Sequence, residues 1–154
     1  MIKKEIRKQF LNHRKKFVLN YIQQLNQKDY EKFYDNYLKS VISILKENKL
    51  EKNIISGFFP IKNEIDCLQI LNGLQKDFKI CLPQVIDKLS KKMIFREFTA
   101  KDYLIIDVMK VPCPSEKNKI SHPNVVLTPL LAFDKFNFRL GYGGGFYDTY
   151  FKNK

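Results

Sequence analysis

The chain has 154 residues, 44% of them hydrophobic, enough for one domain with a filled core. Lys and Arg outnumber Asp and Glu 28 to 16, a net charge of +12 that favours an anionic partner; the cations are dispersed rather than gathered in a patch, so no nucleic-acid partner is expected. Cys67, Cys81 and Cys113 are odd in number and form no C-x-x-C, which argues against a disulfide framework or zinc site and fits a reducing cytoplasm.

Residues 2–25 carry Ile2, Ile6, Phe10, Phe17/Val18, Tyr21/Ile22 and Leu25 at helical spacing, with Lys and Arg on the other face. Asp29 is placed to cap a second helix running to about Asn48, with Phe33, Tyr37, Val41 and Ile44/Leu45 on its inner face. "NIISGFFP" is a short apolar run ending at Pro60 and predicts a buried strand. After the loop "IKNE", the stretch "IDCLQILNGLQKDF" is helical, and "KICLPQV" is the next strand. This β-α-β order predicts parallel strands. "KMIFREF" reads as a strand nearer an edge, "KDYLIIDVMKV" as either strand or short helix, and "PCPSEKNKISHPN" as a loop. "VVLTPLLAF", residues 125–133, is the most apolar run and predicts the most buried strand. No run is long enough to span a membrane, and "MIKKEIRKQF" has no signal-type apolar stretch.

Four of the six glycines fall in one short segment, "RLGYGGGFYDTYF", at Gly141, Gly143, Gly144 and Gly145. Strand, glycine loop, then helix is a phosphate-binding layout: glycines permit positive φ and bring backbone N–H groups close to an anion, and a helix N-terminus adds unpaired donors. Arg139 can pair with phosphate oxygens, and Asp148 can hold a metal bridging phosphates. A ligand-free tight turn, with Asp148 merely stabilising the helix dipole, explains the same residues. Neither G-x-G-x-x-G nor the Walker A pattern is present.

The longer string "TPLLAFDKFNFRLGYGGGFYDTYF" resembles the signature of the 5-formyltetrahydrofolate cyclo-ligase family, the 5,10-methenyltetrahydrofolate synthetases. Pro129, Ala132, Phe133, Asp134, Arg139, Leu140, Gly141, Gly143, Gly145, Phe146, Tyr147 and Asp148 match it in turn. The family's opening K-x-x-x-R is met by Lys3 and Arg7, and its acidic residue after the first strand by Glu64. Taken alone, Lys3 and Arg7 are also readable as a solvated pair and Glu64 as a helix cap.

The resemblance covers nearly the whole chain. It implies a three-layer, mostly parallel α/β sheet of the NagB/RpiA/CoA-transferase type with an N-terminal helical flank, in one domain over residues 1–154. It implies ATP-dependent cyclisation of 5-formyltetrahydrofolate with Mg²⁺, in a cytoplasmic monomer. Lys3, Lys4, Arg7, Arg139, Leu140, Gly141, Tyr142, Gly143, Gly144, Gly145, Phe146 and Tyr147 would bind ATP. Phe59, Glu64, Tyr142 and Phe146 would bind folate, and Asp148 the metal. Phe146 stands where the family carries Tyr, and Thr149 where many bacterial members carry a basic residue. The family continues for a further helix and strand, about 30–40 residues, including an acidic metal ligand. The chain is therefore expected to be shortened at its C-terminus, and the alternative reading is a family member that binds nucleotide or folate with little turnover.

Overall fold

The computed structural model describes residues 2–50 and 53–152, so the expected shortening at Lys154 lies outside the described residues. Helix α1, Lys3–Asn20, runs into a short 3-10 turn at Ile22–Gln24 and then into α2, Gln27–Glu47. The cap of α2 is Asn26 rather than Asp29: the Asn26 side chain accepts the Asp29 N–H at 3.0 Å, and Asp29 serves as a first-turn acid. The face of α2 that meets the core is Tyr34, Leu38, Val41 and Leu45. Tyr37 and Ile44, expected on that face, are exposed.

The main sheet has five strands in the order β6-β3-β2-β1-β7. These are β1 Ile54–Ser56, β2 Lys79–Asp87, β3 Lys92–Glu97, β6 Ile120–Ser121 and β7 Val125–Val126. As the β-α-β order predicts, β1 and β2 are parallel, joined through α3, Cys67–Leu74; β1 and β7 are parallel as well. On the other side β2 pairs antiparallel with β3, and β3 with β6, so the sheet is mixed.

Alternation along the strands assigns the two faces. Ile55, Ile80, Leu82 and Phe98 join Val41, Leu45, Ile70, Leu71 and Leu74 under α2 and α3. Cys81, Met93 and Phe95 face the other way and pack with Phe146, Tyr147 and Tyr150 of α4, Phe146–Lys152. Burial of each large aliphatic side chain contributes about 1.5–3 kcal/mol, so the α2–α3 face carries most of the stability. At Gly73 a Cβ would run into the Leu38 side chain, so α3 meets α2 closely there and a larger residue would require Leu38 to shift.

The region from 104 to 140 departs from expectation. "KDYLIIDVMKV" resolves to a strand, β4 Leu104–Ile106, paired antiparallel with β5 Pro112–Pro114. The stretch read as one loop therefore contains both β5 and β6. The apolar run at 125–133 is not one buried strand. It is β7 and then β8, Ala132–Phe133, with Thr128 and Pro129 between them, and none of its residues is fully buried. Proline supplies no N–H to a ladder, so the pairing stops near Pro129. No helix among the described residues is long and apolar enough to cross a membrane.

Candidate active site

The glycine segment is carried by a hairpin. β8 pairs with β9, Arg139–Leu140. Asp134 builds its turn, accepting the N–H groups of Phe136 at 2.8 Å and Phe138 at 3.0 Å. The chain then crosses the glycines into α4, whose Thr149 N–H bonds back to the Gly145 carbonyl at 2.9 Å. Gly143 and Gly145 have φ of 99° and 75°, the left-handed region that favours glycine. Gly144 is tight for another reason, since a Cβ there would lie 3.0 Å from the Phe146 ring.

Helix α1 closes over this loop with a polar stripe. Its least exposed residues are Ile6, Arg7, Leu11, Arg14 and Val18, and none is fully buried. The apolar series through Phe10, Phe17 and Tyr21 is exposed, so the docked face is rotated about one residue from the expected one. The surface it meets includes the glycine backbone, which asks for donors rather than methyl groups. The Arg7 Nε–H donates to the Gly141 carbonyl at 3.0 Å, and the guanidinium carbon lies 3.2 Å from the place of a Gly143 Cβ. Arg14, two turns on, donates to the Tyr142 hydroxyl and lies 5.2 Å from the centre of its ring. Lys3 and Lys4 are exposed and make no hydrogen bond or ion pair among the described residues, so α1 reaches the loop through Arg7 and Arg14.

Arg14 also links the loop to Glu64. Its Nη1 is 4.0 Å from Glu64 Oε1, and the Glu64 side chain is only 4% exposed. Glu64 Oε2 accepts the Ile61 N–H at 2.8 Å, closing the turn after β1, whereas α3 is capped by Asp66, which accepts the Leu68 N–H. Glu64 is therefore not the helix cap. Glu64 Oε1 and Arg14 Nε are buried without a hydrogen-bond partner, a cost that marks a poised polar site. Burial pushes the Tyr142 phenol up to about 12, with the Arg14 bond opposing and Glu64 adding to the shift. Phe59 lies half-buried on the same connection as Glu64.

Arg139 and Asp148 pair with one another across the loop, and the Arg139 guanidinium lies 5.6 Å from the Tyr147 ring centre. Leu140 is taken up by the hairpin ladder, its carbonyl accepting the Leu131 N–H at 2.7 Å. Phe146 and Tyr147 serve the core as well as the loop, and burial pushes the Tyr147 phenol up. Burial likewise pushes the Cys67 thiol up to about 11 and the Cys81 thiol up to about 12, so both behave as apolar core groups, not nucleophiles.

The chain matches the 5-formyltetrahydrofolate cyclo-ligase family over residues 2–154. It belongs to that family. Among curated relatives, the Escherichia coli 5-formyltetrahydrofolate cyclo-ligase is 28% identical over 104 residues, covering 64% of this chain and 57% of that protein. The Mycoplasma genitalium 5-formyltetrahydrofolate cyclo-ligase is 32% identical over 98 residues, covering 60% of this chain and 47% of that protein. The chain thus matches about half the length of these relatives. The Aquifex aeolicus 5,10-methenyltetrahydrofolate synthetase structure superposes with a TM-score of 0.73 at 24% identity, covering 99% of this chain and 73% of that one. The Mycoplasma pneumoniae synthetase gives 0.65 at 24% identity, covering 100% of this chain and 79% of that one. Both share the fold.

For a cyclo-ligase family member two residues carry little sequence signal here. Arg14 stands in a Lys- and Arg-rich helix, and its only mark is a spacing of seven from Arg7, which repeats a helix face. Lys62, whose ammonium lies 5.7 Å from the centre of the Tyr142 ring, sits in a loop with no periodicity at all. No cluster of three metal-ligating side chains occurs among the described residues. Asp148 supplies one carboxylate, 69% exposed, beside the glycine loop. That donor set fits Mg²⁺, which keeps several waters and takes one or two carboxylates plus substrate phosphates.

Proposed function

We propose that this chain catalyses the ATP-dependent cyclisation of 5-formyltetrahydrofolate to 5,10-methenyltetrahydrofolate, releasing ADP and phosphate. The observation that carries this is the placement of Arg7 and Arg139 around a positive-φ glycine loop, next to a buried carboxylate, Glu64, on the adjoining connection. The reading extends to a three-layer fold of the NagB/RpiA/CoA-transferase type and to a cytoplasmic monomer.

The chemistry needs alignment more than a protein nucleophile. The N5-formyl group is an amide: its carbon is a poor electrophile and its oxygen a poor leaving group. When the formyl oxygen attacks the γ-phosphorus, ADP departs and the oxygen becomes part of a good leaving group. N10 then attacks the formyl carbon, phosphate leaves, and the N10 proton goes to solvent. The protein's part is to hold the two substrates in line and to offset spreading phosphate charge.

In this assignment the loop 141–145, Arg7 and Arg139 hold the phosphates, with Leu140, Phe146 and Tyr147 shaping the loop. Mg²⁺, held by Asp148, would neutralise phosphate charge when bound. Arg139 and Asp148, which pair with each other, would then take the anion and the cation respectively. Glu64 accepts hydrogen bonds from the pterin ring, and Phe59 and Tyr142 pack against its apolar faces. The basic surface attracts the folate glutamate tail. By contrast, a surface hollow of about 340 Å³ between α2 and α3 is lined by Glu31 and Asp35 and suits a polyanion poorly.

The test is methenyltetrahydrofolate formation followed by absorbance, with and without ATP. Product that appears only with ATP supports the assignment. ATP and folate binding without product would establish a binding protein instead.

A further inference from the structure

The tip of the β2–β3 hairpin reaches the glycine loop. A register shift between Val85 and Asp87 interrupts the pairing of the two strands, and such irregularities bend and twist a hairpin. The Asp87 carboxylate accepts the Leu89 N–H at 2.9 Å, the Ser90 N–H at 3.4 Å and the Ser90 hydroxyl at 2.6 Å. This is an Asx-type turn, which holds the tip in one shape. Lys91 follows it with φ of 56°, a left-handed conformation that is uncommon outside glycine. Its ammonium lies 3.2 Å from the place where a Cβ on Gly145 would sit. The packing of α4 explains the meeting: Phe146, Tyr147 and Tyr150 lie on Met93 and Phe95, which lays the start of α4 over the hairpin.

Lys91 is exposed and makes no hydrogen bond or ion pair among the described residues. Around the same loop, Arg7 from α1 sits at Gly141 and Gly143, and Arg139 from β9 has a guanidinium nitrogen 3.6 Å from the Cβ place of Gly141. Three cations from three separate elements therefore converge on five residues of backbone. The carboxylate paired there is Asp148, and it pairs with Arg139. Gathering like charges is unfavourable unless an anion offsets them. Lysine suits the remaining position, being a compact charge with three donors on a flexible stem.

We propose that Lys91 is a phosphate-contacting residue of the nucleotide site, holding the Gly145 end of the loop while Arg7 holds the Gly141 end. The inference rests on reading loop 141–145 as the nucleotide site. It adds a reason for glycine at 145, since a side chain there would push the ammonium away.

The experiment is titration calorimetry of ATP with Mg²⁺, and of adenosine, against the wild-type chain and its Lys91→Ala, Lys91→Arg and Gly143→Val variants. Circular dichroism checks the fold of each. Lys91→Ala is expected to weaken ATP about tenfold, the worth of one charge-assisted hydrogen bond, and to leave adenosine unchanged. Lys91→Arg keeps the charge and is expected to stay within about threefold of wild type. Unchanged ATP affinity in Lys91→Ala, with binding lost in Gly143→Val, overturns the role of Lys91 and leaves the loop assignment standing. Equal weakening of ATP and adenosine in Lys91→Ala overturns it too, because the hairpin tip would then act only on shape. ATP binding by Gly143→Val as by wild type removes the loop assignment and this inference with it.

Discussion

The α2–α3 face of the sheet and the α1–glycine-loop face are assembled by opposite means. In the first, Leu71, Leu74, Ile55 and Leu82 are essentially inaccessible, and the contacts are apolar and interdigitated. In the second, an 18-residue helix with no buried residue meets the glycine loop through Arg7 and Arg14. The first arrangement stores stability. The second leaves polar groups poised, among them two buried atoms without partners, where a charged ligand can complete them.

The largest expected effect lies on the apolar side. Leu71→Ala should lower stability by about 2–5 kcal/mol in urea unfolding, from lost transfer energy and the cavity left. Because the glycine loop leads into α4, whose aromatic residues pack on Cys81, Met93 and Phe95 rather than on Leu71, ATP affinity of the folded protein should stay near wild type. A parallel loss of affinity would show that the two regions are one mechanical unit.

Next comes the link between Arg14 and Glu64. Arg14→Met strands a buried carboxylate and should cost about 2 kcal/mol. The double change Arg14→Met with Glu64→Gln should recover much of that loss, and a double-mutant cycle reads the coupling. Folate affinity should fall in Glu64→Gln, with ATP affinity little changed. Equal effects on both ligands would erase the distinction between the two ends of the site.

A smaller effect separates the two stripes of α1. Arg7→Ala should weaken ATP about tenfold and Lys3→Ala by less than about twofold, because Arg7 lies against Gly141 and Gly143 whereas Lys3 is not among the side chains nearest the loop glycines. Matching losses in calorimetry would mean that α1 sits differently on the loop when ligand is bound.

The smallest effect is seen in alkali. The Tyr142 phenol is raised from 10.0 to about 12 in the fold, chiefly by burial. Its contribution is therefore fully present below pH 10 and is lost as pH rises through about 12. Burial also raises the phenols of Tyr34, Tyr37, Tyr147 and Tyr150. Tyr142→Phe should therefore reduce that dependence rather than abolish it in pH-dependent unfolding, and the ultraviolet titration of the variant should lack one of the late phenols seen in wild type.

Much of the apolar region was readable in advance. The runs "NIISGFFP" and "KICLPQV" become β1 and β2, because a strand buried on both faces reads as a continuous apolar run, and "KMIFREF" becomes β3, its alternation of Met93 and Phe95 marking one buried face. Similar logic misplaced residues 125–133, where an apolar run is split around Pro129 and ends on a hairpin with Phe133 exposed. Hydrophobicity records the wish to be buried, not whether neighbours are there to bury it.

From the residues alone followed the α/β class, the parallel pairing of β1 with β2, the glycine loop and the family resemblance. Each depends on local spacing or on a contiguous string. Which face of α1 docks, that Arg14 bridges Tyr142 and Glu64, and that Lys91 arrives at Gly145 were decided by tertiary structure. Those contacts join residues far apart in the chain, and among 28 Lys and Arg neither Arg14 nor Lys91 stands out until folding gives it an address.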